Sequence, residues 1–287
     1  MNQIAFARPK SIADTCSLLE EYGDTTAILA GGQSLLPMLR QGVSDYEYVI
    51  DINELDGQDY IRADDDHVEI GCLARHVDVM ESPAVADNCR ILAEATGGIG
   101  DVQIRNRGTV CGSIAHADPA GDPPVVAEAL NAEIVVQNVD GTRTIDSRSF
   151  FEGFYETALE PRDLVTAVRF PVVEPPRGAA YEKYEPSEGA YPVATVAAVV
   201  ECEDDRVTEA TLVTGALDIA PTRMPEAAAA LEGEEPTEET VERAAELVGE
   251  HADPLDDVEG SQEFKRAIVR TLAYRAIETA VGRARGS

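Results

Sequence analysis

The feature that most limits how this chain can fold is residues 99–124, IGDVQIRNRGTVCGSIAHADPAGDPP, a long run with little regular pattern. Neither the 3.6-residue period of a helix nor the alternation of a strand extends through it. Irregular runs of this length are uncommon inside compact domains, and most of those that occur are functional. The regular elements are therefore expected to surround a long segment that forms a binding site.

Helices and strands are predicted on both sides of that run from periodicity and stop signals. Before it, helices are expected at 11–22, 35–40, 74–80 and 83–96, and strands at 25–30, 48–52 and 68–71. After it, the expected elements are a helix at 125–130, a hairpin of 133–139 and 142–146, strands at 164–170, 193–201 and 207–216, and helices at 225–231, 236–250 and 261–283. With a Pro-rich linker at 171–178, this order indicates an α+β chain with a larger N-terminal domain and a smaller C-terminal one.

Two of these helices carry more specific predictions. The helix at 35–40 is expected to start from Ser34 as its N-cap. The helix at 261–283 is expected to bury one apolar face made of Phe264, Ile268, Leu272, Ala276 and Ile277.

Charge narrows the possible partners. The 287 residues include 23 Lys and Arg against 54 Asp and Glu, a net charge of −31, and the lysines are Lys10, Lys183 and Lys265. Such a chain repels phosphate backbones and anionic lipids, so neither nucleic-acid nor membrane-surface binding is expected. The charge predicts a halophilic-type protein, because salt near 1 M shortens the Debye length to about 3 Å.

The same sequence indicates a cytoplasmic location. No stretch approaches the ~20 apolar residues that a membrane span needs, and the N-terminus lacks the apolar core of a secretion signal. Neither disulfides nor a metal or iron–sulfur site of the chain's own are expected, because the cysteines lie singly at Cys16, Cys72, Cys89, Cys111 and Cys202. The histidines outside the irregular run are dispersed among acidic residues and are expected at the surface: His67, His76 and His251.

The first candidate binding segment is AILAGGQSLL, Ala27–Leu36, in which two glycines separate a strand from a helix start. Backbone N–H groups can converge there on an anion without side-chain obstruction, which suits a phosphate. The pattern matches neither GxGxxG nor GxxxxGK[ST], so it does not support an ordinary Rossmann or nucleoside-triphosphate site. The alternative is a plain tight turn.

The second candidate segment is TVCGSIAHADPAGD, Thr109–Asp122. The segment offers side-chain donors that suit a phosphate, from Thr109, Ser113 and His116. Beside them, Asp118 and Asp122 carry carboxylates of the kind that bind sugar hydroxyls. Two such segments suit a dinucleotide diphosphate, because neutral N–H groups can replace lysines in so acidic a chain. His116 is expected to hydrogen-bond rather than act as a base, because no GxSxG-type nucleophile accompanies it. Cys111 is expected to pack rather than to react.

Lys183 is one of the few lysines retained, in the sequence AYEKYEP. An ammonium there could lie near a flavin ring and stabilise its anionic reduced form. Alternatively, Lys183 is a surface residue paired with Glu182 or Glu185. Tyr191 could face a ring or belong to the core.

Four segments taken together carry a resemblance to a known family: AGGQSLLPMLR (30–40), IRNRGTVCGSIAHADPAGDPP (104–124), YEK (181–183) and DPLDDVEGSQEFKRAIVRTLAYRAI (253–277). They resemble the FAD-binding medium subunits of molybdenum hydroxylases, in particular the carbon monoxide dehydrogenase medium chain and related aldehyde-oxidising enzymes. The resemblance covers essentially the whole chain, and the motifs occur in the same order.

The resemblance implies an α+β fold in two domains. Residues 1–174 would form a two-lobed FAD-binding domain of the vanillyl-alcohol-oxidase type, with lobes at about 1–55 and 56–174. Residues 178–287 would form the smaller C-terminal domain, with a three-stranded antiparallel sheet and helices. FAD would lie extended between the lobes.

The resemblance also implies roles for individual residues. The diphosphate cradle would be formed by Gly31, Gly32, Gln33, Ser34 and Leu35 together with Thr109, Val110, Cys111, Gly112 and Ser113. Asp122 would bind hydroxyls of the FAD sugar chain, Leu164 would pack on the ring system, Lys183 would approach the flavin, and Tyr191 would stack on its ring. Cys111 stands where the family usually has glycine, so the backbone role of this position requires a negative φ.

In the family, substrate is oxidised at a molybdopterin centre in a large subunit, and electrons pass through two [2Fe–2S] clusters of a small subunit to FAD. The resemblance therefore implies both partners, assembled as a dimer of heterotrimers, and an external electron acceptor. The substrate stays open among carbon monoxide, an aldehyde, a purine and an aromatic acid. The electron acceptor stays open among quinone, nicotinamide and oxygen. The alternatives are a stand-alone FAD oxidase or reductase of the same fold and a cofactor-free scaffold.

Overall fold

The first lobe is built on a three-stranded parallel sheet in the order β1-β3-β2. The computed structural model describes residues 4–286, so residues 1–3 and 287, the outer ends of the two expected domains, lie outside the described residues. The elements of this lobe are β1 (Ala5–Ala7), α1 (Ile12–Tyr22), β2 (Thr26–Leu29), α2 (Leu35–Gln41) and β3 (Tyr48–Asp51). The two helices and two strands predicted for this part are confirmed to within one residue at each end.

Polar caps and glycines fix the ends of the helices in this lobe. Ser11 accepts a hydrogen bond from the Asp14 N–H at the start of α1, and Gly23 ends that helix with a φ of +50°. Ser34 occupies the N-cap position of α2 as predicted, but its hydroxyl makes no capping hydrogen bond. The backbone at Ser34 is already helical, so its side chain is not placed to reach the N–H groups of the first turn.

The second lobe contains a five-stranded antiparallel sheet in the order β4-β5-β10-β6-β7. Its elements are β4 (Ile61–Ala63), β5 (His67–Gly71), α3 (His76–Glu81), α4 (Pro83–Asn88), α5 (Arg90–Gly97), α6 (Val102–Arg105), α7 (Val110–His116), α8 (Asp122–Leu130), β6 (Glu133–Asn138), β7 (Gly141–Asp146), β8 (Phe151–Gly153), β9 (Glu156–Thr157) and β10 (Leu164–Pro171). One buried core joins the two lobes, because Leu19 and Ile50 of the first pack with Ile70 and Phe170 of the second.

Two predictions for this lobe are wrong. The single helix expected at 83–96 is two helices, because Cys89 between them takes φ −150° and ψ 58°. The run 99–124 contains α6, α7 and the start of α8. Asp101 caps the first, and the Thr109 hydroxyl accepts from the Gly112 N–H at the start of the second. Helices this short carry no apolar periodicity, so their caps were the one signal that could have revealed them.

The C-terminal domain is an antiparallel sheet in the order β11-β12-β13-β14 with helices on one side. Its elements are β11 (Arg177–Tyr184), β12 (Ala194–Glu203), β13 (Arg206–Gly215), β14 (Thr222–Arg223), α9 (Pro225–Ala229), α10 (Glu238–His251) and α11 (Gln262–Ala284). The three long strands are the expected sheet, to which β14 adds a two-residue fourth strand. The α+β class is confirmed, and β11 begins inside the expected linker.

The buried face of α11 differs from the prediction. Leu272, Ala276 and Ile277 are buried as expected, but Phe264 is 43% exposed and Ile268 is only partly buried. The stripe instead includes Lys265 and a series of small residues, because α11 lies so close to β11 that a Cβ at Gly178 would meet the backbone of α11. No helix within residues 4–286 is long and apolar enough to cross a membrane.

Candidate functional site

A cleft with a volume of about 440 Å³ opens where the two lobes and the C-terminal domain meet. The first lobe contributes the loop before α2, and the second contributes residues 108–122 and 159–165. The C-terminal domain contributes Lys183 and residues 189–192. A cleft of this size and position is typical of small-molecule and cofactor sites.

The first glycine-rich loop lines this cleft with all five residues singled out from the sequence, Gly31, Gly32, Gln33, Ser34 and Leu35. Gly32 has a φ of +74°, in the left-handed region that favours glycine. The backbone N–H groups of residues 32–35 donate no hydrogen bond within the described part of the chain. They are therefore available to a bound anion.

The second loop forms the start of α7. Thr109, Cys111, Gly112 and Ser113 line the cleft, whereas the Val110 side chain is fully buried in the core. Cys111 lies within the helix and not in the left-handed region, so the condition set for its backbone is met. Burial raises the pKa of the Cys111 thiol well above its usual range, and the thiol lies 3.4 Å from the Ile70 carbonyl oxygen. Both observations support a packing role.

The two loops meet backbone against backbone. A Cβ added at Gly31 would lie 2.4 Å from the Arg107 carbonyl oxygen and 2.7 Å from the Gly108 Cα. Gly108 is confined in turn, because a Cβ there would lie 2.7 Å from the ring Cδ2 of His76. No side chain fits between the loops, so glycine is required at both positions.

A polar network that the sequence analysis missed holds the loops together. Asn53 donates from Nδ2 to the Ala30 carbonyl oxygen at 2.8 Å, and Arg75 donates to Asn53 Oδ1 at 2.6 Å. The same guanidinium donates to the Arg107 carbonyl oxygen at 2.6 Å. Burial alone would raise the pKa of Asp51, but hydrogen bonds from Asn53 and Arg8 lower it. The only sequence signal was the polar Asp51–Asn53 pair at the end of a buried strand.

His76 was expected at the surface, and that prediction is wrong. Its side chain is 4% exposed and lines the cleft behind Gly108. Burial lowers the pKa of His76 to about 4, with the charges of Arg105 and Arg75 acting in the same direction. Its Nδ1 is buried and has no hydrogen-bond partner among residues 4–286. The acidic neighbours that suggested exposure lie elsewhere on α3, where the Asp78 carboxylate accepts a hydrogen bond from the Arg75 N–H.

Lys183 lines the cleft from the C-terminal domain, on β11, with a side chain 13% exposed. Its Nζ donates to the Gly98 carbonyl oxygen and lies 3.4 Å from Asp122 Oδ1 and 3.3 Å from Glu185 Oε2. The Tyr181 hydroxyl donates to the same Asp122 oxygen. Burial raises the pKa of Asp122, and the interactions with Lys183 and Tyr181 oppose that rise. Lys183 pairs with Glu185, one of the alternatives from the sequence, but it is not a surface residue.

Aromatic side chains border the cleft near Asp118. Tyr191 is 67% exposed and lines the cleft, so it does not belong to the core. The Tyr155 hydroxyl donates to Asp118 Oδ2 at 3.1 Å, and the Tyr155 ring lies 4.9 Å from the His116 ring. His116 lines the cleft, and burial lowers its pKa.

Leu164 lines a third part of the cleft. It lies at the start of β10, and Leu19 and Thr26 of the first lobe line the cleft with it. The Thr26 hydroxyl is buried without a hydrogen-bond partner in the described chain. Two cleft-lining residues, Thr26 and His76, thus each carry a buried polar atom without a partner among residues 4–286, which suits an extended ligand with several polar groups.

These observations define a protein that binds a dinucleotide in an extended cleft between two lobes. The unpaired N–H groups at residues 32–35, the exclusion of any side chain between the loops and the unpartnered polar atoms all fit FAD. The family described as FAD binding domain in molybdopterin dehydrogenase matches residues 2–173. The CO dehydrogenase flavoprotein C-terminal domain matches residues 179–280. The chain belongs to the family of FAD-binding subunits of molybdopterin dehydrogenases.

Individual relatives agree with this assignment over nearly the full length. The nicotine 6-hydroxylase medium subunit of Paenarthrobacter nicotinovorans is 36% identical over 98% of both chains. The glyceraldehyde dehydrogenase medium chain of Sulfolobus acidocaldarius is 33% identical over 96% of this chain and 98% of its own. A solved structure of carbon monoxide dehydrogenase from Hydrogenophaga pseudoflava superposes with a TM-score of 0.94 at 33% identity, covering 98% of each chain. The resemblance found in the sequence is confirmed, and the chain is an FAD-dependent electron-transfer subunit of an oxidoreductase.

Proposed function

We propose that this chain takes electrons from the [2Fe–2S] clusters of a small partner subunit and passes them through FAD to an external acceptor. The substrate is oxidised at a molybdopterin centre in a large partner subunit. Bound FAD supplies the redox chemistry, because flavins exchange electrons singly or in pairs. The observation that carries this proposal is the contact of Gly31 with Arg107 and Gly108 beside four unpaired N–H groups.

In this proposal the diphosphate of FAD is bound by neutral donors. Residues 31–35 and 109–113 hold it, with Val110 contributing its backbone alone because its side chain is buried. Lys183 is the only Lys or Arg among the described residues that line the cleft. Backbone N–H groups therefore replace the basic side chains that hold phosphates elsewhere.

The remaining site residues serve the sugar chain and the ring. Asp122 accepts from a hydroxyl of the sugar chain through Oδ2, since Tyr181 and Lys183 both engage Oδ1. Leu164 packs against the ring system and Tyr191 stacks on it. Lys183 approaches the flavin, and His116 hydrogen-bonds to the cofactor from its own position in the cleft lining.

We further propose a complex with a large molybdopterin subunit and a small [2Fe–2S] subunit, assembled as a dimer of heterotrimers in the cytoplasm. The names of the relatives as medium subunits and medium chains support such an assembly. Those relatives act on different substrates, which supports substrate selection outside this chain. The proposed domain boundaries are 1–174, with lobes at about 1–55 and 56–174, and 178–287, supported by the position of the cleft where the three parts meet.

The experiment is to purify the chain with its associated subunits from the native source and to measure absorbance and metal content. Flavin and iron–sulfur absorption together with molybdenum, iron and FAD in stoichiometric amounts are expected. A colourless preparation that binds no FAD at micromolar concentration with its partners present contradicts the proposal. Substrate turnover by the isolated chain, without partners, indicates a stand-alone oxidase or reductase instead.

A further inference from the structure

We propose that Glu185 lowers the reduction potential of the bound flavin by its charge beside Lys183, and that it also anchors the segment carrying Tyr191. This inference rests on the proposed function, because it requires FAD near Lys183. Nothing in the resemblance assigns a role to Glu185. It is a positioning residue, since it acts through Lys183 and through the backbone of the Tyr191 segment.

One carboxylate makes both connections. Glu185 Oε2 lies 3.3 Å from Lys183 Nζ and is buried without a hydrogen-bond partner within residues 4–286. Glu185 Oε1 accepts a hydrogen bond from the Gly189 N–H at 3.2 Å. Gly189 has a φ of +80° and stands two residues before Tyr191. The carboxylate therefore links the lysine to the turn that leads into the exposed tyrosine.

The sequence pattern explains why these groups converge. Tyr181, Lys183 and Glu185 are two residues apart along β11 and its continuation, so their side chains project to the same side of the strand. Asp122 meets this side from the N-terminus of α8. The Lys183 ammonium is thus set between two carboxylates and the Gly98 carbonyl oxygen.

This charge arrangement has a consequence for reduction. Reduction adds negative charge to a flavin, and a neighbouring ammonium favours the reduced form while a neighbouring carboxylate opposes it. Two carboxylates against one ammonium leave the cluster with an excess of negative charge when all three are ionised. Removing the Glu185 charge therefore makes the bound flavin easier to reduce.

The test is Glu185→Gln in the complete complex. Glutamine retains a carbonyl oxygen for the Gly189 N–H while it removes the charge. We expect the equilibrium for two-electron reduction to favour the reduced flavin by about tenfold, a rise of about 30 mV. The potential is measured by spectroelectrochemical titration, with the FAD dissociation constant measured in parallel.

The matched control is Glu188→Gln, which removes an equal charge from the same segment at an exposed position with no contact to Lys183. Its potential should stay close to the wild-type value. Glu185→Met separates the two roles, because it also removes the acceptor for Gly189. It should shift the potential as Glu185→Gln does and in addition make residues 186–192 more sensitive to limited proteolysis.

The possible outcomes distinguish a failure of this inference from a failure of the proposed function. If wild type and Glu185→Gln both bind FAD and their potentials match that of Glu188→Gln, the inference is wrong while the proposed function stands. If Glu185→Met leaves proteolysis unchanged, the anchoring role is wrong. If wild-type protein with its partners binds no FAD, the proposed function itself fails.

Discussion

Two parts of the cleft differ in how they carry charge. The loop end is formed by residues 31–35 and 108–113, and the lysine end by the surroundings of Lys183. At the loop end, the backbones around Gly31 and Gly108 touch, and the two loops offer the cleft no charged side chain. At the lysine end, a mostly buried ammonium lies between the carboxylates of Asp122 and Glu185. In the proposed function, a chain with a net charge of −31 binds the FAD diphosphate through neutral donors. Lys183, the one lysine that lines the cleft among the described residues, is then left for the flavin ring.

The largest effect is expected from Gly31→Ala, which should disrupt the close contact between the two loops. The added Cβ would collide with the Arg107 carbonyl oxygen, so the loops must separate. Overpacking of this kind costs about 1–3 kcal/mol, and we expect roughly 10- to 100-fold weaker FAD binding. Fluorescence titration with FAD measures the effect. Gly97→Ala is the control, because its Cβ would meet only the flexible Met80 side chain at 3.4 Å. Equal affinities for the two variants would contradict the close contact.

A second prediction concerns the neutrality of the loop end, which depends on His76. Its pKa is about 4 in the folded chain against 6.5 ordinarily, so the unfolded state binds more protons between these values. The contribution of His76 to stability is present above pH 6.5 and is lost as the pH falls toward 4. Between pH 7 and pH 5 the loss is about 2 kcal/mol.

Denaturant unfolding of wild type and His76→Gln across this pH range, at fixed salt, measures that loss. The variant should lose about 2 kcal/mol less than wild type, because its side chain does not titrate. His251→Gln is the control, since His251 is exposed and does not line the cleft. Parallel pH profiles for wild type and His76→Gln would show that His76 is not held neutral.

Thr109→Ala tests the second loop by removing the N-cap of α7 at the loop end. The Thr109 hydroxyl accepts from the Gly112 N–H, so its loss should cost about 1 kcal/mol of stability. FAD affinity should fall as well, because the cap orients the second loop. Thr237→Ala removes the equivalent cap of α10, far from the cleft, at a similar cost in stability. If thermal unfolding and FAD titration show both variants losing FAD equally, the cap has no specific part in binding.

Salt should give the smallest effect. Screening weakens the repulsion between the acidic chain and the FAD diphosphate, whereas neutral N–H donors are little affected. Between 0.1 and 1 M KCl we expect FAD affinity to rise about two- to fivefold and the melting temperature to increase. A loss of affinity with salt would indicate that basic side chains hold the diphosphate. A melting temperature that does not rise would contradict the halophilic-type prediction.

The sequence by itself determined the class of site, because both binding loops are local. Gly31 and Gly32 directly follow the predicted strand β2, the donors of the second loop lie within residues 109–113, and each signal lies within a few residues of its consequence. Most helices and strands could also be predicted, since their periodicity and caps are local. The short helices α6 and α7 were not predicted, because they are too short to show a period and only their caps mark them.

Only the tertiary structure decided which side chains are buried and which groups are paired. His76 became a neutral cleft residue because Gly108 packs against its ring, 32 positions along the chain. Arg75 joins the loops through Asn53 and Arg107, and only the fold brings the Asp122 carboxylate at the start of α8 to Lys183 on β11. Burial and ion pairing depend on which side chains from distant segments pack around a position. The spacing of residues within one segment cannot predict those contacts.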